Sequence, residues 1–224
     1  MSPINLEVKP TLVADQVFEA LQGAIFSGEL AAGTPLRVRD LAKMVGTSVM
    51  PVRDAIRRLE EAGLASSTPH KGAVVRTFTA TELIQIYDVR TLLEVEAARR
   101  GTEHISEAEV EQMSEACQKL SDDVAAENWL GALHHDELML MVLYSASRNP
   151  VLVTLIDNLW NQCRAYKVLG ATEAMEKQDP SLWTPQPRLL AAVQARDVES
   201  VATITRESLT SARRRLEKRL IAQT

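Results

Sequence analysis

The chain has 224 residues, of which 46% are hydrophobic, 25% charged and only 4% aromatic, with a net charge of -5. That length suits one large domain or two small ones, and the composition is that of a globular protein with a buried core. No apolar run reaches membrane-spanning length, and Cys117 and Cys163 stand alone without CxxC spacing, so the expectation is a reducing, cytoplasmic setting with no membrane partner and no disulfide.

Charge is unevenly spread. Residues 37–76 carry eight Lys/Arg against four acids, a net +4, which leaves -9 for the rest. A basic island in an acidic chain is the footprint of a module that meets phosphates.

In chain order, residues 1–10 read as a loose arm. Thr11 caps a predicted helix to about Ser27, with Leu12, Val13, Val17, Leu21, Ala24 and Ile25 on one face. After a Gly/Pro loop, a short helix is predicted at about Val38 to Val45. Gly46 ends it where the chain must turn sharply. Ser48 is the predicted N-cap of a third helix, about Val49 to Ala62, in which Pro51 is tolerated because first-turn N–H groups lack intrahelical partners. Leu64 to Thr68 and Ala73 to Thr77 read as two short strands joined by Pro69, His70, Lys71 and Gly72. Two helices at a glycine turn plus a two-stranded wing make a winged helix-turn-helix.

From Thr79 on, only helical patterns appear: about 79–101, 106–126, 128–146, 149–170, 187–195 and 197–222, with Gly101, Pro150, Pro180, Pro185 and Pro187 as breaks. The expected fold is mainly α, an N-terminal winged helix-turn-helix (1–77) followed by an antiparallel helical bundle (78–224).

The major groove of B-DNA accepts one helix, whose N-terminal residues read the bases. Here those are Ser48, Val49, Met50, Pro51 and Arg53, with Arg57 farther along and Arg39 on the preceding helix. His70, Lys71 and Gly72 at the wing tip are candidates for the minor groove or backbone. The bland alternative is that Arg53 and Arg57 are solvated charges paired with Asp54, Glu60 or Glu61.

LRVRDLAKMVGTSVMPVRDAIRRLEEAGL resembles the GntR family of bacterial transcription regulators, whose pattern runs L-x-x-R-x-L-A-x-x-x-G-V-S-R-x-P-V-R-E-A-L-x-x-L-x-x-x-G-L. The resemblance implies DNA contacts at Arg39, Ser48, Met50, Pro51, Arg53, His70 and Gly72. The family often has arginine where this chain has Val49, which alters the expected operator preference. YDVRTLLEVEAARRG and LMLMVLYSASRNPVL resemble helices of the FCD ligand-binding domain of the FadR subfamily. The resemblance implies a homodimer on a palindromic double-stranded operator, with an effector in the bundle.

Many FCD domains hold a divalent metal through one Asp and three His. The matching positions here are Asp136, Leu140, Gln186 and Ser208, so no metal cofactor is expected. His134 and His135 flank Asp136, but neighbours on a helix point about 100° apart and do not chelate together. Arg90 and Asp136 both fall on apolar stripes. They pair with each other, or Arg90 pairs with Glu94, or Arg90 receives a carboxylate-bearing effector by a charge-assisted fork. In that last reading Asp136, Gln186 and Ser208 complete the lining, with Asn158 or Gln162 as further candidates. The basic run Arg213, Arg214, Arg215, Lys218 and Arg219 offers a contact to DNA or the headpiece, with the solvated face of a terminal helix as its ordinary reading. No nucleophile–base pair or phosphate loop is present, so no enzyme is expected. The alternatives are a bundle that only dimerises, and a ligand-binding domain with a vestigial headpiece.

Overall fold

A computed structural model describes residues 12–68, 72–177 and 180–222. Contacts divide the chain into two compact units, meeting at Thr77 and Phe78.

The first unit holds α1 (Leu12–Ser27), α2 (Val38–Met44), α3 (Val49–Glu61), β1 (Ala65–Thr68) and β2 (Gly72–Val75). Its core is one apolar cluster in which Val17, Leu21 and Ile25 of α1 meet Leu41, Val52, Ile56 and Leu59. Val13, expected on that face, is 46% exposed. Gly46 has φ +68°, the left-handed conformation that its turn requires. The strands pair antiparallel with Ala65 opposite Val75 and Thr68 opposite Gly72. The α1–α2 loop adds a third segment to this sheet: Gly33 N–H donates to Val75 O, Val75 N–H to Thr34 O and Leu36 N–H to Ala73 O, at 2.8–2.9 Å. Gly/Pro content alone marks that stretch as loop, and its pairing comes only from tertiary contact.

The second unit holds α4 (Ala80–His104), α5 (Glu107–Ala125), α6 (Trp129–Ser145), α7 (Pro150–Glu176), a 3-10 turn (Pro180–Leu182), α8 (Pro185–Gln194) and α9 (Val198–Ala222). Capping boxes start α4 (Thr79 with Glu82) and α5 (Ser106 with Glu109). α4 packs against α6, α7 and α9, and α5 against α6 and α8. The main core joins Ala97, Ala98, Met139, Leu143, Ile156, Val193 and Val201.

Two expected boundaries are corrected. Gly101 does not end α4, which runs on to His104. A Cβ at Gly101 would lie 2.0 Å from the Leu143 carbonyl oxygen, so glycine is there because the α6 backbone crosses α4 at that point. α8 starts at Pro185 rather than Pro187, with both prolines in its first turn, where a missing N–H leaves no helical bond unmade.

Candidate functional sites

In the first unit, α3 presents its N-terminal end outward. Ser48 has the extended backbone of an N-cap (φ -76°, ψ 168°), yet its side chain makes no capping bond, so its hydroxyl is available to a ligand. Val49 and Met50 are 37% and 63% exposed, side by side in the first turn of α3. Arg39 and Arg53 are exposed and have no hydrogen-bond or ion-pair partner among the described residues. Arg57 faces Glu61 at 3.6 Å in a solvent-exposed pair, worth little. Arg58, by contrast, is tied to Asp15 and lies over the Phe18 ring, a structural role that fastens α3 to α1. A shallow groove brings Arg53 and Arg57 together with Arg37 of the α2 N-cap and Gly72 of β2. Pro51 is half-buried in the first turn of α3. Gly72 has φ +78° at the start of β2. His70 and Lys71 lie outside the described residues. The result is an exposed helix end with cations beside it, the arrangement that docks in a major groove.

In the second unit, a cavity of ≈ 220 Å³ opens between α4, α6, α7, α8 and α9. One water needs only ~15 Å³, so the space suits a small organic molecule. Arg90, Asp136, Leu140, Gln186 and Ser208 all line it. Asn158 and Gln162 do not, and neither do His134 and His135. His135 Nδ1 instead meets Asp123 at 2.6 Å.

Arg90 does not pair with Asp136. Its Nε donates to Glu94 Oε1 at 2.6 Å, and its guanidinium lies 4.6 Å from the Tyr87 ring centre. Glu94 is 1% exposed and also accepts from Trp160 Nε1 (2.9 Å) and Tyr144 Oη (3.0 Å). Burial opposes the Arg90 charge, but the Glu94 carboxylate outweighs it and holds the guanidinium well above its usual pKa. Arg90 Nε is thus committed to a carboxylate of the chain itself, and its terminal Nη1 lies 3.4 Å from Cys163 Sγ.

Asp136 accepts from Gln186 Nε2 at 2.6 Å. Burial raises its pKa from 3.8 to about 6, with Lys167 and the Gln186 bond pulling the other way. Lys167 itself donates to Glu137 at 2.7 Å, beside Arg164. Burial would raise the Glu137 pKa, and these two cations reverse that and hold it low.

The four positions that correspond to a metal set supply one carboxylate, one amide turned to that carboxylate, one hydroxyl and one aliphatic group. That donor set does not fit a divalent transition metal, which prefers imidazole, thiolate or several carboxylates. Among the described residues, no three His, Cys, Asp or Glu side chains converge.

Arg90, its partner Glu94, Asp136, Gln186 and Ser208 are all visible from the residue order and the resemblance, whereas Lys167, Trp183 and Thr205, which also line the cavity, are not. Trp183 sits in a proline-broken stretch without periodicity, and Thr205 is an ordinary helical residue, so neither carries a local signal. Arg213, in the basic run near the C-terminus, donates to Asp88 at 2.8 Å and pairs with Glu217, fastening α9 to α4.

Residues 13–75 match the family model described as bacterial regulatory proteins, gntR family, and residues 85–211 match the FCD domain. The chain is similar to the HTH-type transcriptional regulator McbR of Escherichia coli K12, 25% identical over 189 residues that span 82% of this chain and 83% of McbR. A probable D-xylose utilization operon transcriptional repressor of Paenarthrobacter nicotinovorans is 35% identical over 99 residues, 44% of each chain. Among solved structures, E. coli McbR/YncC superposes with TM-score 0.79 at 23% identity, over 94% of this chain and 99% of that one. A GntR regulator from Rhodococcus sp. RHA1 gives 0.75 at 21% identity, over 91% and 96%. With an exposed helix-turn-helix on one unit and a helical cavity in the other, the chain belongs to the gntR family of bacterial regulatory proteins, with an FCD domain at its C-terminal side, and is a DNA-binding transcription regulator rather than an enzyme.

Proposed function

We propose that the protein is a cytoplasmic, homodimeric repressor of the FadR subfamily whose affinity for a palindromic operator is set by a small organic effector in the bundle cavity. The observation that carries this is the exposed α3 N-terminus, where Ser48, Met50 and Arg53 are available, in a chain that also holds a cavity of ≈ 220 Å³. Arg53 suits a bidentate contact to guanine, Ser48 a phosphate, and Met50 and Val49 a thymine methyl. A dimer presents two such ends to two half-sites. Repression is the role of the Paenarthrobacter relative, a probable D-xylose utilization operon transcriptional repressor. No metal takes part in this reading. The sequence points to an organic acid received by Arg90, but Arg90 Nε is already paired with Glu94, so the effector reading does not depend on that class.

The test is a gel-shift titration on the DNA upstream of the protein's own gene, with and without the small-molecule fraction of its host cells. Sequence-specific, salt-sensitive binding that the fraction weakens is the expected result. Binding indifferent to sequence would sink the operator reading, and specific binding that no fraction alters would sink the effector reading.

A further inference from the structure

Three residues that line this cavity each hold a buried polar atom without a partner. Trp183 Nε1, Gln186 Oε1 and Thr205 Oγ1 have no hydrogen-bond partner among the described residues. All three residues line the cavity, at 7%, 5% and 4% exposure. Such atoms are rare in native interiors and costly when left unsatisfied. Trp183 and Gln186 share one turn, with Gln186 N–H 3.3 Å from the Trp183 carbonyl. Asp136 fixes the Gln186 amide: its carboxylate only accepts, so the NH₂ side turns to it and the carbonyl Oε1 turns away.

These atoms differ in what they ask of a ligand. An indole N–H only donates, an amide carbonyl only accepts, and a threonine hydroxyl does both. A hydroxyl group answers all three. A carboxylate cannot donate to Gln186 Oε1.

Charge argues the same way. Arg90 is paired with Glu94 at 2.6 Å and Lys167 with Glu137 at 2.7 Å, while Asp136 adds a carboxylate to the wall. Lys177 and Arg215 line the cavity only at exposed positions, so an anion in its depth must displace a paired carboxylate or sit beside Asp136 and Glu94 as a like charge. An uncharged ligand does neither, and Leu140, Leu189 and Ile204 offer apolar surface to its C–H faces.

We propose that the cavity takes a small uncharged polyhydroxy molecule, a polyol or sugar, held without metal by Trp183, Gln186 and Thr205, with Asp136 positioning Gln186. This deepens the effector reading above and rests on it.

The test uses the full-length protein, dialysed against EDTA. Thermal shift and then calorimetry are run with D-ribose, ribitol, D-glucose and glucitol, and with D-ribonate and D-gluconate as acids of the same skeletons. At least one neutral probe should raise the melting temperature and bind saturably while its acid does not. Thr205→Val, which keeps the shape, and Gln186→Leu should each weaken that binding by ~10-fold. Unliganded melting curves check that each variant folds, and Thr205→Val alone suffices if Gln186→Leu does not. Adding Zn²⁺ or Mn²⁺ should leave the affinity unchanged. Binding of the acids alone would overturn the uncharged class and leave the effector reading standing. Binding that appears only with added metal would overturn the metal-free mode. Silence from both sets would overturn the proposal, while the effector reading is decided separately by the operator titration.

Discussion

Glu94 and Arg90 meet at 2.6 Å one turn apart on α4, at 1% and 4% exposure, and Tyr144 and Trp160 complete the carboxylate's shell. Removing one member of a buried pair strands the other. Glu94→Leu should therefore lose roughly 3–5 kcal/mol, read by urea denaturation. Arg90→Met with Glu94→Leu should recover much of that loss. An additive or larger loss in the double variant would mean the pair is not the unit that matters.

Asp136 gives a pH signature. Its folded pKa of about 6 lies above the ordinary 3.8, so between those values the folded state holds the proton more firmly than the unfolded chain. Stability from this group is present below pH 4 and is lost as pH rises through 6. Asp136→Asn should remove that dependence and gain up to ~3 kcal/mol at pH 7.5, from two pKa units at about 1.4 kcal/mol each. Equal stability of variant and parent across pH 4–8 would contradict the burial argument.

Gly101 and Gly170 make a matched pair of helical glycines. A Cβ at Gly101 would strike the Leu143 carbonyl oxygen at 2.0 Å, whereas nothing lies within 4 Å of one at Gly170. Gly101→Ala should cost about 3 kcal/mol or more through overpacking. Gly170→Ala should stabilise by roughly 0.5–1 kcal/mol, since alanine is the better helix former. Thermal unfolding of the two variants should shift in opposite directions.

On the headpiece, Arg53→Ala should weaken operator binding by ~10–100-fold and relax preference at one base position, as loss of a bidentate guanine contact does. Arg57→Ala should weaken all sequences alike and lower the salt slope by about 1. Competition assays on an operator with each base pair varied distinguish the two. An Arg53→Ala loss spread evenly over all sequences would assign Arg53 to the phosphates instead.

The periodic parts of the fold were legible from residue order alone. The α3 stripe Val52, Ile56, Leu59 is buried as its spacing implies, and Arg90 and Asp136 do fall on inward stripes. What was not legible depends on a second segment. Gly101 reads as a stop until α6 is placed across it. Pro185 and Pro187 read as breakers until Gln186 is seen between them in a helical first turn. Glu94 could be named as a partner for Arg90, yet its other two donors, Tyr144 and Trp160, come from α6 and α7. The cavity wall is the extreme case, since Trp183 and Thr205 matter only by where other helices put them.

The loop segment Gly33–Leu36 runs along β2, so β2 is the middle of a three-ply ribbon and not its edge. Leu36 is buried in the headpiece core, and the next residue, Arg37, is the N-cap of α2. Wing, loop and helix pair are therefore welded into one template. Under the operator reading proposed above, a half-site whose groove widths do not match this unit must deform to fit it, which makes DNA stiffness part of what is selected.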